Sequence, residues 1–169
     1  EKVSIADYIN MIRLKTAVLL GGAMKLGAQV AGATEQQAEQ LYEFGENLGI
    51  AYQLQDDLLD VYGDPEKFGK QVGGDIIANK KTLLLLKLRE LANNTDLENL
   101  AIQSENKDLT EKINNVKGLY DKYDIKSLAI AEIKNYSNKA FHALESLDLT
   151  KERKSELFKL AEQILNREH

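Results

Sequence analysis

The chain has 169 residues, 43% hydrophobic and 29% charged, with a net charge of −5; this is the balance of one globular domain, not of a disordered or nucleic-acid-binding chain. Without a single cysteine, disulfides and thiolate metal sites are excluded, and a reducing, cytoplasmic setting is expected. The longest apolar runs, such as LLLL at 83–86, are too short to span a bilayer, and no secretory leader opens the chain. A start at Glu1 instead of Met leads us to expect a fragment of a longer protein.

Pro65 is the only proline and strand-type alternation is scarce, so the chain reads as all-α. Ile5, Tyr8, Ile9, Ile12 and Leu19 form the apolar stripe of a first helix. Gly21-Gly22 is expected to bend or interrupt it, and Gly32 to stop it. Thr34 followed by Gln37 is a capping-box pattern, which starts a second helix at Glu35. That helix runs to about Tyr62, where Gly63-Asp64-Pro65 ends it. Residues 63–79 form a long connection with Gly63, Gly69, Gly73 and Gly74, of a length that is usually functional or mobile. A third helix is predicted from about Asn79 to Ala92. Amphipathic segments follow at 96–102, 109–123, 124–146 and 150–166, and they read as scaffold. One helical domain over 1–169 is expected.

The second helix ends in YQLQDDLLDVYGD, residues 52–64. Asp56 and Asp60 are four apart and Asp57 and Asp60 three apart, so the three project to neighbouring positions on one face. Like charges at that spacing cost a helix about 0.2–0.5 kcal/mol per pair. The macrodipole adds about 0.3–1 kcal/mol for each anion in the last turns. A purely structural sequence would put lysine there. Two readings stand: a solvated edge at a helix end, or a carboxylate cluster for a hard cation such as Mg²⁺, which binds one or two carboxylates plus substrate phosphates. Gly45 and Gly49, on the same face as Gln53, leave a groove for either a neighbouring helix or a ligand.

Cations gather in the sequence around this cluster. Lys70 sits in the glycine-rich connection, Lys80 and Lys81 follow it, and Lys15-Thr16 interrupt the first apolar helix. Carboxylates that hold Mg²⁺, with lysines from separate segments, make the combination a diphosphate requires. His142 and His169 stand alone, and no nucleophile–base arrangement includes them.

With these residues assembled, the chain resembles the C-terminal portion of the trans-isoprenyl diphosphate synthase (polyprenyl synthetase) family. YQLQDDLLD matches the second aspartate-rich motif, FQ-x-x-DD-x-x-D, with Tyr52 in place of Phe. GKQVGGD at 69–75 matches the G-K-x-x-G-x-D loop, Lys80 and Thr82 the following K-x-T, and RLKTAVL at 13–19 the K-T element. Leu84 stands where many bacterial members have proline.

The resemblance implies a helical bundle around a deep cavity and an Mg²⁺-dependent prenyltransferase. Such an enzyme joins isopentenyl diphosphate to an allylic diphosphate by ionisation, condensation and elimination. By motif, Asp56 would bind Mg²⁺, with Asp57 and Asp60 acting directly or through bound water. Lys15, Lys70 and Lys80 would neutralise the diphosphate, and Thr16 and Gln53 would face the allylic cation. The departing diphosphate would take the proton, which explains why no histidine is needed. The family's first aspartate-rich motif has no match in these residues, so a homodimer or a pairing with an N-terminal segment is expected. A non-catalytic partner subunit is the competing reading, and a terpene cyclase a third.

Overall fold

A computed structural model describes residues 3–64 and 72–165. Every regular element among the described residues is helical: α1 (Ile5–Ile12), a π-helical turn (Arg13–Ala17), α2 (Val18–Val30), α3 (Glu35–Tyr62), α4 (Gly74–Ile77), α5 (Leu83–Leu91), α6 (Asn94–Ser104), α7 (Leu109–Lys122), α8 (Ile125–Glu145) and α9 (Lys151–Leu165). The all-α expectation holds. No helix among the described residues is long and apolar enough to cross a membrane.

Local chemistry accounts for several boundaries. The backbone N–H of Thr34 donates to Gln37 Oε1 at 3.0 Å while that of Gln37 donates to Thr34 Oγ1 at 3.3 Å, a reciprocal cap that starts α3. Gly32, at φ +81°, takes the left-handed conformation that closes α2. Two expectations fail. Gly21-Gly22 does not interrupt the first helical stretch; the irregularity comes earlier, as the π turn over Arg13–Ala17. A π turn closes its hydrogen bonds over five residues instead of four, so the apolar stripe advances by one position. Leu19, expected inside, is 77% exposed, whereas Leu20 packs on the core. Nor does a helix begin at Asn79. Asn79 takes φ +50°, ending α4, and α5 starts only after Thr82, whose backbone is extended.

The helices group into two compact units. One comprises 9–55 and the described residues from 132 onward. Its core joins Phe44 and Leu48 of α3 to Ala140, Ala143 and Leu144 of α8 and Ala161 of α9, and Phe141 stacks on Phe158 with ring centroids 5.9 Å apart. Here α2 and α3 touch through small residues. A Cβ added at Gly45 would lie 2.9 Å from the Leu20 carbonyl oxygen, and one at Gly49 would lie 2.8 Å from Ala17 Cα. Of the two uses open to these glycines, helix packing is the one observed.

The other unit comprises the described residues up to Tyr8 together with 56–131. Its core holds Leu58 and Val61 of α3, Leu83–Leu86 and Leu88 of α5, Leu100 of α6, and Val116 and Tyr120 of α7. Lys112 is buried there. Its ammonium donates to the carbonyls of Ile77 at 3.1 Å and Ser104 at 3.3 Å, the ends of α4 and α6, where orphan carbonyls and the helix dipoles favour a cation.

Candidate active site

The end of α3, the start of α1 and the segment 72–82 build one polar network inside the second of these units. Asp57 is 2% exposed. Its carboxylate accepts a short hydrogen bond from the Tyr8 hydroxyl, and its other oxygen accepts from Lys80 Nζ at 3.2 Å. The same ammonium reaches Asp75 Oδ2 at 2.9 Å. Lys80 can do this because it stands on the extended turn between α4 and α5, not on a helix face. Asp60 faces the same segment. Its carboxylate accepts from the Asp75 backbone N–H at 2.9 Å, and its carbonyl accepts from Gly73 N–H at 2.6 Å. Gly73 must be glycine: it takes φ +86°, and a Cβ there would meet Ile113 at 2.8 Å.

Burial decides the protonation tendencies. Desolvation pushes the Asp57 carboxyl above its ordinary range, opposed by the Tyr8 hydroxyl and by Lys80. Asp60 is pushed up in the same way, opposed by the Asp75 N–H. Lys80 loses some hydration, yet Asp75 and Asp57 hold its ammonium above the usual lysine range. Burial, with Asp57 beside it, pushes the Tyr8 hydroxyl far above the tyrosine range, so it stays a donor.

The three aspartates meet different surroundings. Asp57 turns into the unit, Asp60 is tied to the α4 entrance, and Asp56 stays partly exposed. At about 100° per residue the three still fall within one arc of the helix, with Asp60 between Asp56 and Asp57. Among the described residues no three acidic or histidine side chains gather into a ready metal cage, and none hydrogen-bonds to Asp56.

In the other unit, Thr16 Oγ1 lies 3.5 Å from Gln53 Oε1, the outer limit of a hydrogen bond. Both residues are partly buried, and Lys15 beside Thr16 is exposed. Lys15 and Thr16 lie on the π turn. Such single turns cluster at functional positions. Lys70, expected to meet phosphate, lies outside the described residues. Tyr8 and Asp75 are partners that sequence reasoning did not single out. Tyr8 sat in an apolar stripe, while Asp75 closes the GKQVGGD motif and was legible there.

The profile of the polyprenyl synthetase family matches residues 1–122. The chain belongs to that family. Among curated relatives of this polyprenyl synthetase chain, the short chain isoprenyl diphosphate synthase of Methanothermobacter thermautotrophicus is 34% identical over 99% of the chain and 51% of its own length. The heptaprenyl diphosphate synthase component 2 of Bacillus subtilis is 33% identical over 90% of the chain and 43% of its own length. The chain thus spans about half the length of the whole-chain relatives. Solved structures agree with the fold. A geranylgeranyl pyrophosphate synthase superposes over 100% of the chain and 53% of its own, with TM-score 0.88 and 39% identity. A polyprenyl synthase from Caulobacter crescentus, complexed with calcium and isoprenyl diphosphate, superposes over 99% of the chain and 51% of its own, with TM-score 0.87 and 29% identity.

Proposed function

We propose that this polyprenyl synthetase chain contributes the second aspartate-rich wall of a prenyltransferase that condenses isopentenyl diphosphate with an allylic diphosphate. The observation that carries the reading is Lys80 held between Asp57 and Asp75. A cation so placed answers to two carboxylates and stands 40% exposed, free to turn toward an incoming anion. The relatives' names, isoprenyl and heptaprenyl diphosphate synthases among them, support the substrate class.

Magnesium fits the donors present. Mg²⁺ binds through one or two carboxylates and completes its shell with phosphate oxygens and water, and Asp56 offers one partly exposed carboxylate of that kind. Asp56 would hold the ion, with Asp57 and Asp60 orienting the shell around it. When bound, the ion supplies charge neutralisation to the diphosphate as the C–O bond ionises. The protein's own residues do the remainder. Lys80 would stabilise the leaving anion together with Lys15 and Lys70, electrostatic aid of the kind that dominates such barriers. Thr16 and Gln53 would turn oxygens toward the allylic cation. Tyr8 would fix Asp57 so that Lys80 has a defined resting place.

A second reading has one observation behind it, the B. subtilis relative named as a component of its synthase: the chain would then work as one subunit with a partner that carries the other wall. The test is incorporation of labelled isopentenyl diphosphate with an allylic primer and Mg²⁺ by the chain joined to its upstream segment, with and without Asp56→Ala. Turnover that falls at least a hundredfold in the variant, with tenfold weaker diphosphate binding by calorimetry, supports the assignment. Unchanged turnover and affinity would sink it.

A further inference from the structure

A cavity of about 400 Å³ opens in the unit that carries the aspartates, framed by the end of α3 and by α4, α5, α6 and α7. It falls within the size range of small-molecule sites. None of Asp56, Asp57 and Asp60 lines it, but Asp75 and Lys80 do, so it adjoins the network around Asp57. Leu85, Leu97, Leu100 and Val116 supply apolar walls.

Two buried hydroxyls lack partners there. Thr82 is 4% and Tyr120 3% exposed, both line the cavity, and neither side chain makes a hydrogen bond among the described residues. Thr82 does not even cap α5, the helix it precedes. Neither oxygen is sealed in the interior, since among the described residues the sealed, unpaired side-chain atom is Gln55 Oε1. The two hydroxyls therefore open into the cavity. Open to the cavity, the two hydroxyls are available to donate to an acceptor that enters it. Arg89 adds a positive charge on the rim that no described carboxylate pairs, and the Asp75 charge is already met by Lys80 at 2.9 Å. Burial, then the Asp75 charge, holds the Tyr120 hydroxyl above the tyrosine range, so it remains a donor.

We propose that this cavity binds a short amphiphilic anion, with its apolar body against Leu85, Leu97, Leu100 and Val116 and its head on Thr82, Tyr120 and Arg89. The lining alone sets this class, apolar walls leading to two hydroxyl donors and a guanidinium, so the inference does not depend on prenyl transfer. Lys80 and Asp75 belong to both the cavity wall and the network around Asp57, so an occupant there bears on the resting place of Lys80.

The test is calorimetric titration of octyl phosphate into the full chain, with inorganic diphosphate and Mg²⁺ present throughout to occupy the aspartate wall. Saturable one-to-one binding is expected, at least tenfold tighter than octanol or inorganic phosphate alone. Arg89→Ala and Tyr120→Phe should each weaken it at least fivefold, whereas Asp56→Ala should leave it unchanged. Thr82→Val provides a second variant with nearly the same shape, and thermal melts check that each variant folds. Methyl resonances of Leu85, Leu97, Leu100 and Val116 should shift on titration. Absence of saturable binding would overturn the proposal. So would octanol binding as tightly as octyl phosphate, or affinity lost in Asp56→Ala but kept in Tyr120→Phe. Loss of diphosphate binding in Asp56→Ala bears on the proposed function alone.

Discussion

At Tyr8 the ring and the hydroxyl do different things. The ring satisfies an apolar position, and the hydroxyl reaches Asp57, 49 residues away in sequence. Tyr8→Phe keeps the first and deletes the second, leaving a buried carboxylate oxygen without its donor, which costs about 1–3 kcal/mol. Urea unfolding should register that loss. A change below about 0.5 kcal/mol, half a typical hydrogen bond, would mean that the hydroxyl does not hold Asp57. Asp96 gives a pH-dependent case. Lys122, Tyr123 and the Asn93 side chain hold its carboxyl below the ordinary value of 3.8. A carboxylate with a lowered folded pKa stabilises the fold above its unfolded value and loses that contribution as pH falls through the folded one. Asp96→Asn should therefore be less stable than the parent chain at pH 7, with the gap closing below about pH 3.8. A gap of constant size in urea midpoints at pH 7 and pH 3 would contradict this. The aspartates and Lys80 were legible as residue types because their spacing is local and their like charges carry a penalty. Their partner Tyr8 was not, because hydrophobic periodicity records that a position faces inward and says nothing of what its polar tip meets.

Local signals also separate what could be read among the elements from what could not. The Thr34–Gln37 cap spans three residues, so it was visible in the sequence, as were the ends of α3 and the bounds of α7, α8 and α9 to within a few residues. The π turn was not, because no residue type in RLKTA marks it. Gly22 and Gly45 lie in helix interiors and would gain the same propensity from alanine, about 0.5–1 kcal/mol. A Cβ at Gly22 meets nothing within 4 Å, whereas one at Gly45 meets backbone atoms at 2.9 Å. Gly22→Ala should therefore stabilise the chain by about 0.5–1 kcal/mol. Gly45→Ala should destabilise it by about 1–3 kcal/mol, the usual cost of overpacking. Equal shifts in the two melting temperatures would refute the packing account. Lys80 illustrates the same limit. A helix was expected to carry it, and the left-handed Asn79 instead leaves it on a turn, where it can reach two carboxylates.

For the molecule as a whole, the exposed apolar surface on α2 is organised. Leu19, Leu26 and Val30 are 77%, 62% and 82% exposed, and their spacing of seven and four residues puts them on one stripe. Stripes of this kind mark contact surfaces. The chain alone is expected to self-associate in sedimentation velocity runs between micromolar and hundred-micromolar concentrations. Leu19→Glu with Leu26→Glu should return it to a monomer, and an unchanged sedimentation coefficient across that range would count against the stripe. Which leucines form that stripe was decided by an insertion too small to need a loop. The turn at Arg13–Ala17 works like a vernier: one surplus residue, absorbed without breaking the helix, exchanges the roles of Leu19 and Leu20. Removing a single residue there, Leu14 for example, should leave the helical content by circular dichroism almost unchanged. It would leave Leu20 inward and Leu19 outward, because the residue lost is the one the turn absorbs, so a one-codon deletion would erase the irregularity and spare both surfaces.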